Sequence, residues 1–281
     1  MPSAPAPPPL AAGCDEINGY IPVAPGRRAL VRAPASSARR PAVVVLHGYT
    51  GSPERIEQTS GWTPFAQQQG AIAVYPEGTV ISAGGYAWAT GTARFSAVGV
   101  DDVSYLQALV FTLLLRACVD PGRMLLTGES NGGAMTVLAA CDKRTFAAFT
   151  MFAPVIPAVD GNVLDRCGAG GPVKLVALAG RLDQTVPYDG VYPPGQIPLL
   201  GQEQWFLALA AQRNGCAATE PDRTRIPDAE EIRPTGCIHA PTLVAIDDAR
   251  HTWPGGPVVN GNLPAGTFGA TAYLWNQFAS S

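Results

Sequence analysis

One serine stands between two glycines in TGESNGGAM, residues 127–135. The spacing Gly128-x-Ser130-x-Gly132 fits a nucleophile on a tight strand-to-helix turn, and its chemistry would be attack of an alcohol on a carbonyl carbon. With 31 glycines among 281 residues, a lone match to this pattern is a weak signal. An unaided serine is a poor nucleophile, so it needs a base, and the base needs an acid to orient it. The chain holds 3 histidines: His47, His239 and His251.

His251, in DDARHTWPGG, follows the last strand-like run, whereas His47 precedes the serine and His239 precedes a strand. In open α/β sheets the site lies at the carboxyl ends of the strands, which favours His251 as the base over a purely structural histidine. The order nucleophile, acid, base then asks for a carboxylate between residues 130 and 251. Asp183, in LVALAGRLDQTVPY, follows a strand; Asp160 and Asp248 are rivals, and Asp183 could instead cap its own turn. The backbone N–H groups of Asn131 and Tyr49 are the expected oxyanion donors, one after the serine and one in the loop after VVVLHG. His47 and Gly48 would shape that loop.

The elements that must hold these groups are legible as alternating patterns. AVVVLHG (42–48), AIAVYPE (71–77), RMLLTGES (123–130), FAAFTMFAPV (146–155), PVKLVALAG (172–180) and TLVAIDDA (242–249) read as strands. Their unbroken apolar character implies burial on both faces, as in a parallel sheet. Residues 101–118, 131–142, 203–215 and 267–279 read as helices, and 20–34 as an antiparallel edge hairpin. The alternation predicts a mostly parallel, doubly wound α/β sheet with helices on both faces and no separate lid domain. Residues 1–13 are expected to be a disordered Pro/Ala-rich arm, and 14–281 a single catalytic domain.

Composition narrows the functions. The chain is 47% hydrophobic and 15% charged with net charge −3, which offers no electrostatic case for nucleic acid. The longest apolar run, residues 105–119, is too short for a membrane span and reads as a core helix. The 6 cysteines form no CxxC pair and no cluster with histidine, so neither metal nor cofactor is expected. Three disulfides in an exported protein fit better, with an export signal removed from the start. Fifteen connectivities are open; the expected pairs are Cys216–Cys237, bracketing a polar excursion, Cys118–Cys141, each ending a helix, and Cys14–Cys167, by elimination. A monomer is expected.

Two long loops, 78–100 and 184–201, are rich in glycine, proline and aromatics. Trp88, Tyr188 and Trp253 are expected at the rim of the site as substrate contacts, although Trp253 could equally pack under its own loop.

Together VVVLHGYTGS, GWTPFAQQQGAIAVYPEG, GGYAWATG, VDDVSYL, GESNGGAMTVLAAC, GRLDQTVPYDG and RHTWPGG resemble the extracellular poly(3-hydroxybutyrate) depolymerase and feruloyl esterase group of α/β-hydrolases. The resemblance spans most of the chain. It implies the α/β-hydrolase fold, a triad of Ser130, Asp183 and His251, and an ester substrate, soluble or polymeric. A peptidase of the same fold and a non-catalytic binding protein remain alternatives. Glu129 departs from the family, which more often has an apolar residue beside the nucleophile.

Overall fold

The computed structural model describes residues 14–81, 83–92, 100–142, 148–167, 171–192, 194, 198–259 and 266–280. The arm expected over 1–13 lies outside the described residues. In chain order the strands are β1 (Ile17–Ala24), β2 (Arg27–Ala33), β3 (Arg40–Leu46), β4 (Ile72–Pro76), β5 (Thr79–Val80), β6 (Tyr86–Ala87), β7 (Val119–Glu129), β8 (Met151–Val155), β9 (Val176–Gly180), β10 (Asp222–Ile226), β11 (Ala229–Arg233) and β12 (Thr242–Ile246). The described helices are α1 (Pro53–Ser60), α2 (Trp62–Gln68), α3 (Asp102–Arg116), α4 (Asn131–Cys141), α5 (Gly161–Asp165), α6 (Gln202–Asn214) and α7 (Ala270–Ala279).

Ten strands form one sheet in the order β1-β2-β4-β3-β7-β8-β9-β12-β11-β10. The central six, β4 to β12, run parallel. An antiparallel pair flanks them on each side, β1 and β2 at one edge and β11 and β10 at the other. Strands β4, β8, β9 and β12 are buried throughout, because helices cover both faces. One core layer joins Leu106 of α3, Met135 of α4 and Trp205 of α6. The other joins Ile56 of α1, Trp62 of α2 and Trp275 of α7. The expected doubly wound sheet and its edge hairpin are both present.

Several features were not foreseen. The excursion 217–236 contains the hairpin β10–β11, which extends the sheet. Residues 53–68 form α1 and α2; α1 buries only Pro53, Ile56 and Ser60, so its apolar periodicity is faint. Its start is nevertheless marked: Ser52 accepts the Arg55 N–H at 3.2 Å and Pro53 opens the helix, as caps of this kind do.

Winding reverses around β3. From β3 the chain crosses to β4 on one side; from β7 it crosses to β8 on the other. The carboxyl ends of β3 and β7 therefore border the crevice at a topological switch point.

Three disulfides staple the fold: Cys14–Cys118, Cys141–Cys167 and Cys216–Cys237. The third was expected; the pairs Cys118–Cys141 and Cys14–Cys167 were not correct. Cys14 is bonded through its backbone to Ser36, and Arg40 donates to the Cys118 carbonyl at 2.8 Å, so the first described residues meet the start of β7. Cys141 closes α4 and meets Cys167 just after α5, a short helix that the sequence had not revealed.

Candidate active site

Strand β7 ends at Glu129, α4 begins at Asn131, and Ser130 makes the turn between them. Only glycine fits the neighbouring positions. A Cβ on Gly128 would lie 2.6 Å from the Gly132 carbonyl oxygen, and one on Gly132 would lie 2.5 Å from the carbonyl oxygens of Leu46 and His47. The backbone at Ser130 is correspondingly bent, with φ 56° and ψ −114°. A serine before a helix usually turns its hydroxyl onto the helix N–H groups, but Ser130 makes no such bond.

Its Oγ instead lies 3.0 Å from His251 Nε2. On the far side of the ring, Nδ1 is 2.8 Å from Asp183 Oδ2. The second carboxylate oxygen of Asp183 accepts the N–H groups of Thr185 and Val186, each at 2.8 Å. Asp183 thus caps its own turn and also faces the imidazole, so the two readings of the sequence coexist. With Nδ1–H donating to the carboxylate, Nε2 is left to accept the serine proton. Neither rival acid faces the imidazole: Asp160 caps α5 through Val163 at 3.3 Å, and Asp248 accepts from Thr267 at 3.1 Å.

The 47–51 turn closes the opposite wall, with Gly51 N–H donating to the Gly48 carbonyl at 3.1 Å. His47 is buried and fully engaged: Nδ1 donates to Gly48 O at 2.8 Å and Nε2 accepts Gly78 N–H at 3.1 Å. Burial holds its pKa down to about 4, so it stays neutral and serves as scaffold.

These residues border a cleft of about 340 Å³ lined also by Tyr49, Arg55, Thr59, Glu129, Thr185, Thr252 and Trp253. Half-buried Glu129 opens into it, and burial pushes its carboxyl above the usual range. Arg55 reaches the cleft from α1, the helix missed in the sequence.

Two expected rim aromatics are elsewhere. Trp88 is 0% exposed and lies beneath the 47–51 turn, its indole N–H donating to His47 O at 2.9 Å. Tyr188 donates its hydroxyl to Glu203 at 3.3 Å and lies 5.0 Å from the Arg181 guanidinium; neither residue lines the cleft. Trp253 does line it, yet it is only 1% exposed and its indole donates to Thr271 Oγ1 at 3.0 Å. Among the described residues, no cluster of His, Cys, Asp and Glu could hold a metal, and no helix is long and apolar enough to cross a membrane.

No family model matches the chain. Among curated proteins it is similar to the putative esterase NocK of Nocardia uniformis subsp. tsuyamanensis, 29% identical over 245 residues, which cover 80% of this chain and 68% of NocK. It is also 28% identical over 208 residues to feruloyl esterase B of Piromyces equi, covering 70% of this chain but 37% of that protein. The chain thus spans little more than a third of that second relative. Among solved structures, the acetyl xylan esterase of Aspergillus awamori superposes with a TM-score of 0.65 at 14% identity, over 93% of this chain and 98% of that one. The fold is that of the α/β-hydrolases, and the relatives are esterases.

Proposed function

We propose that this α/β-hydrolase, a hydrolase of carboxylic ester bonds related to feruloyl and acetylxylan esterases, works through an acyl-enzyme on Ser130. One observation carries the reading: a serine hydroxyl not spent on capping its helix lies 3.0 Å from an imidazole that is itself held at 2.8 Å by a carboxylate.

Neutral His251 takes the Ser130 proton through Nε2 as Oγ bonds to the ester carbonyl carbon. The carbonyl oxygen becomes an oxyanion, stabilised by the N–H groups of Asn131 and Tyr49. Collapse breaks the bond to the alkoxy oxygen, which leaves as alcohol with the proton from His251. A water then repeats the sequence on the acyl-serine, releasing the acid and restoring Ser130. Asp183 fixes the tautomer and stabilises the imidazolium. Each oxyanion donor contributes roughly 2.7–4 kcal/mol to the transition state.

The substrates we assign are esters such as feruloyl or acetyl esters of plant polysaccharide, or hydroxyalkanoate oligomers. Threonines, Tyr49, Arg55 and Glu129 line the cleft, which suits an acyl or alcohol part carrying oxygen atoms. The three disulfides support a secreted protein, since such bonds persist in oxidising compartments. A panel of nitrophenyl acetate, methyl ferulate, acetylated xylan and hydroxybutyrate oligomers, with phosphonate labelling, tests the reading. Hydrolysis together with a single adduct at Ser130 is expected; an unlabelled Ser130 in folded protein overturns it.

A further inference from the structure

The two segments assigned to the oxyanion follow different strands, β3 and β7, and one buried tryptophan fastens them together. Asn131 Oδ1 accepts the Trp88 backbone N–H at 2.7 Å, and Asn131 Nδ2 donates back to the Trp88 carbonyl at 3.2 Å. The Trp88 indole N–H donates at 2.9 Å to the carbonyl of His47, two residues before Tyr49. The ring also lies 5.0 Å from the His47 imidazole. Trp88 and Asn131 are both fully buried, so no water competes for these bonds.

Trp88 is itself held from behind. The next residue, Ala89, donates its N–H to Asp102 Oδ2 at 2.6 Å, and Asp102 is paired with Arg27. The Arg27 guanidinium sits 3.6 Å from the Tyr105 ring, and Tyr105 stacks 6.3 Å from Trp88. The bracket is thus tied to Arg27 of β2 and to Asp102 and Tyr105 of α3.

We propose that Trp88 and the Asn131 side chain are positioning residues for the oxyanion hole: they fix the distance between the Tyr49 and Asn131 N–H groups. This rests on the acyl-enzyme reading above. Oxyanion stabilisation depends on donors held in place before charge develops, so loosening the bracket weakens the transition state more than the ground state.

Two variants test it. Trp88→Phe keeps an aromatic ring and removes the bond to His47. Asn131→Ala removes both side-chain bonds to Trp88 and leaves the backbone N–H of residue 131 intact. Each should lower kcat by about tenfold to a hundredfold with KM within about twofold, while near-UV circular dichroism shows native packing. An alkyl boronic acid, whose tetrahedral adduct places an oxygen in the hole, should lose affinity in step with kcat/KM. A purely structural role would lower the amount of folded enzyme and leave that affinity unchanged. The proposal is overturned if either folded variant keeps wild-type kcat, or loses kcat while binding the boronate as before. If Trp88→Phe does not fold, Asn131→Ala decides. Wild-type protein that hydrolyses no ester would sink the acyl-enzyme reading instead, which keeps the two failures distinct.

Discussion

Asp183 Oδ2 and His251 Nδ1 lie 2.8 Å apart, although the two residues are 68 positions apart in the chain. The carboxylate cannot rotate freely, because its other oxygen is tied to the N–H groups of Thr185 and Val186. Replacing it by an amide keeps those bonds and reverses the polarity toward the ring. Asp183→Asn should therefore favour the wrong imidazole tautomer and lower kcat by roughly 10³–10⁴-fold with little change in KM. Steady-state kinetics on nitrophenyl acetate measure this; a loss under tenfold would remove Asp183 from the relay.

His47 makes folding sensitive to acid. Burial lowers its pKa from 6.5 to about 4. The unfolded chain then takes up the proton first, so stability present above pH 6.5 is lost as pH falls toward 4, by about 3 kcal/mol. In His47→Gln this contribution is absent. Urea unfolding at pH 7.5 and 4.5 should show the variant's deficit shrinking markedly at the lower pH.

The sign reverses at Glu129. Burial raises its pKa, with His251 and Arg55 pulling it back down. Its folded state favours the neutral acid, a contribution present at low pH and lost as pH rises through the raised pKa. Glu129→Gln should accordingly be more stable than wild type at pH 8 and equal to it at pH 4. Thermal melts at both values decide; a variant less stable at pH 8 would overturn this sign.

The cross-links should differ in weight. Cys14–Cys118 closes a separation of 104 residues and Cys141–Cys167 one of 26. In the chain-entropy model the first contributes about 5 kcal/mol and the second about 3.5. Serine replacements of the first pair should cost more in denaturation midpoint than those of the second. Peptide mapping without reductant should recover both pairs and Cys216–Cys237.

The parallel strands were readable because burial on both faces writes unbroken apolar runs, such as residues 42–46. Ser130, Asp183 and His251 could be singled out as candidates because each follows a strand-like run and their order is restrictive; the fold brings the three side chains together. The helix α1 was not, since it presents one narrow apolar edge. Trp88 was misread for a different reason. It sits in a glycine-rich loop, where local composition suggests exposure, and only distant partners, Tyr105 and His47, draw it inside. The cysteine pairs likewise depended on where remote segments meet, at Ser36 for Cys14 and beyond α5 for Cys141, which no local pattern encodes.

The bend at Ser130 falls where a chain without a β-carbon would be most at ease. Holding a side chain there costs on the order of 1–3 kcal/mol. Heat resistance and turnover therefore pull in opposite directions at a single carbon atom: selection for toughness alone would drift toward glycine at this residue and erase the alcohol.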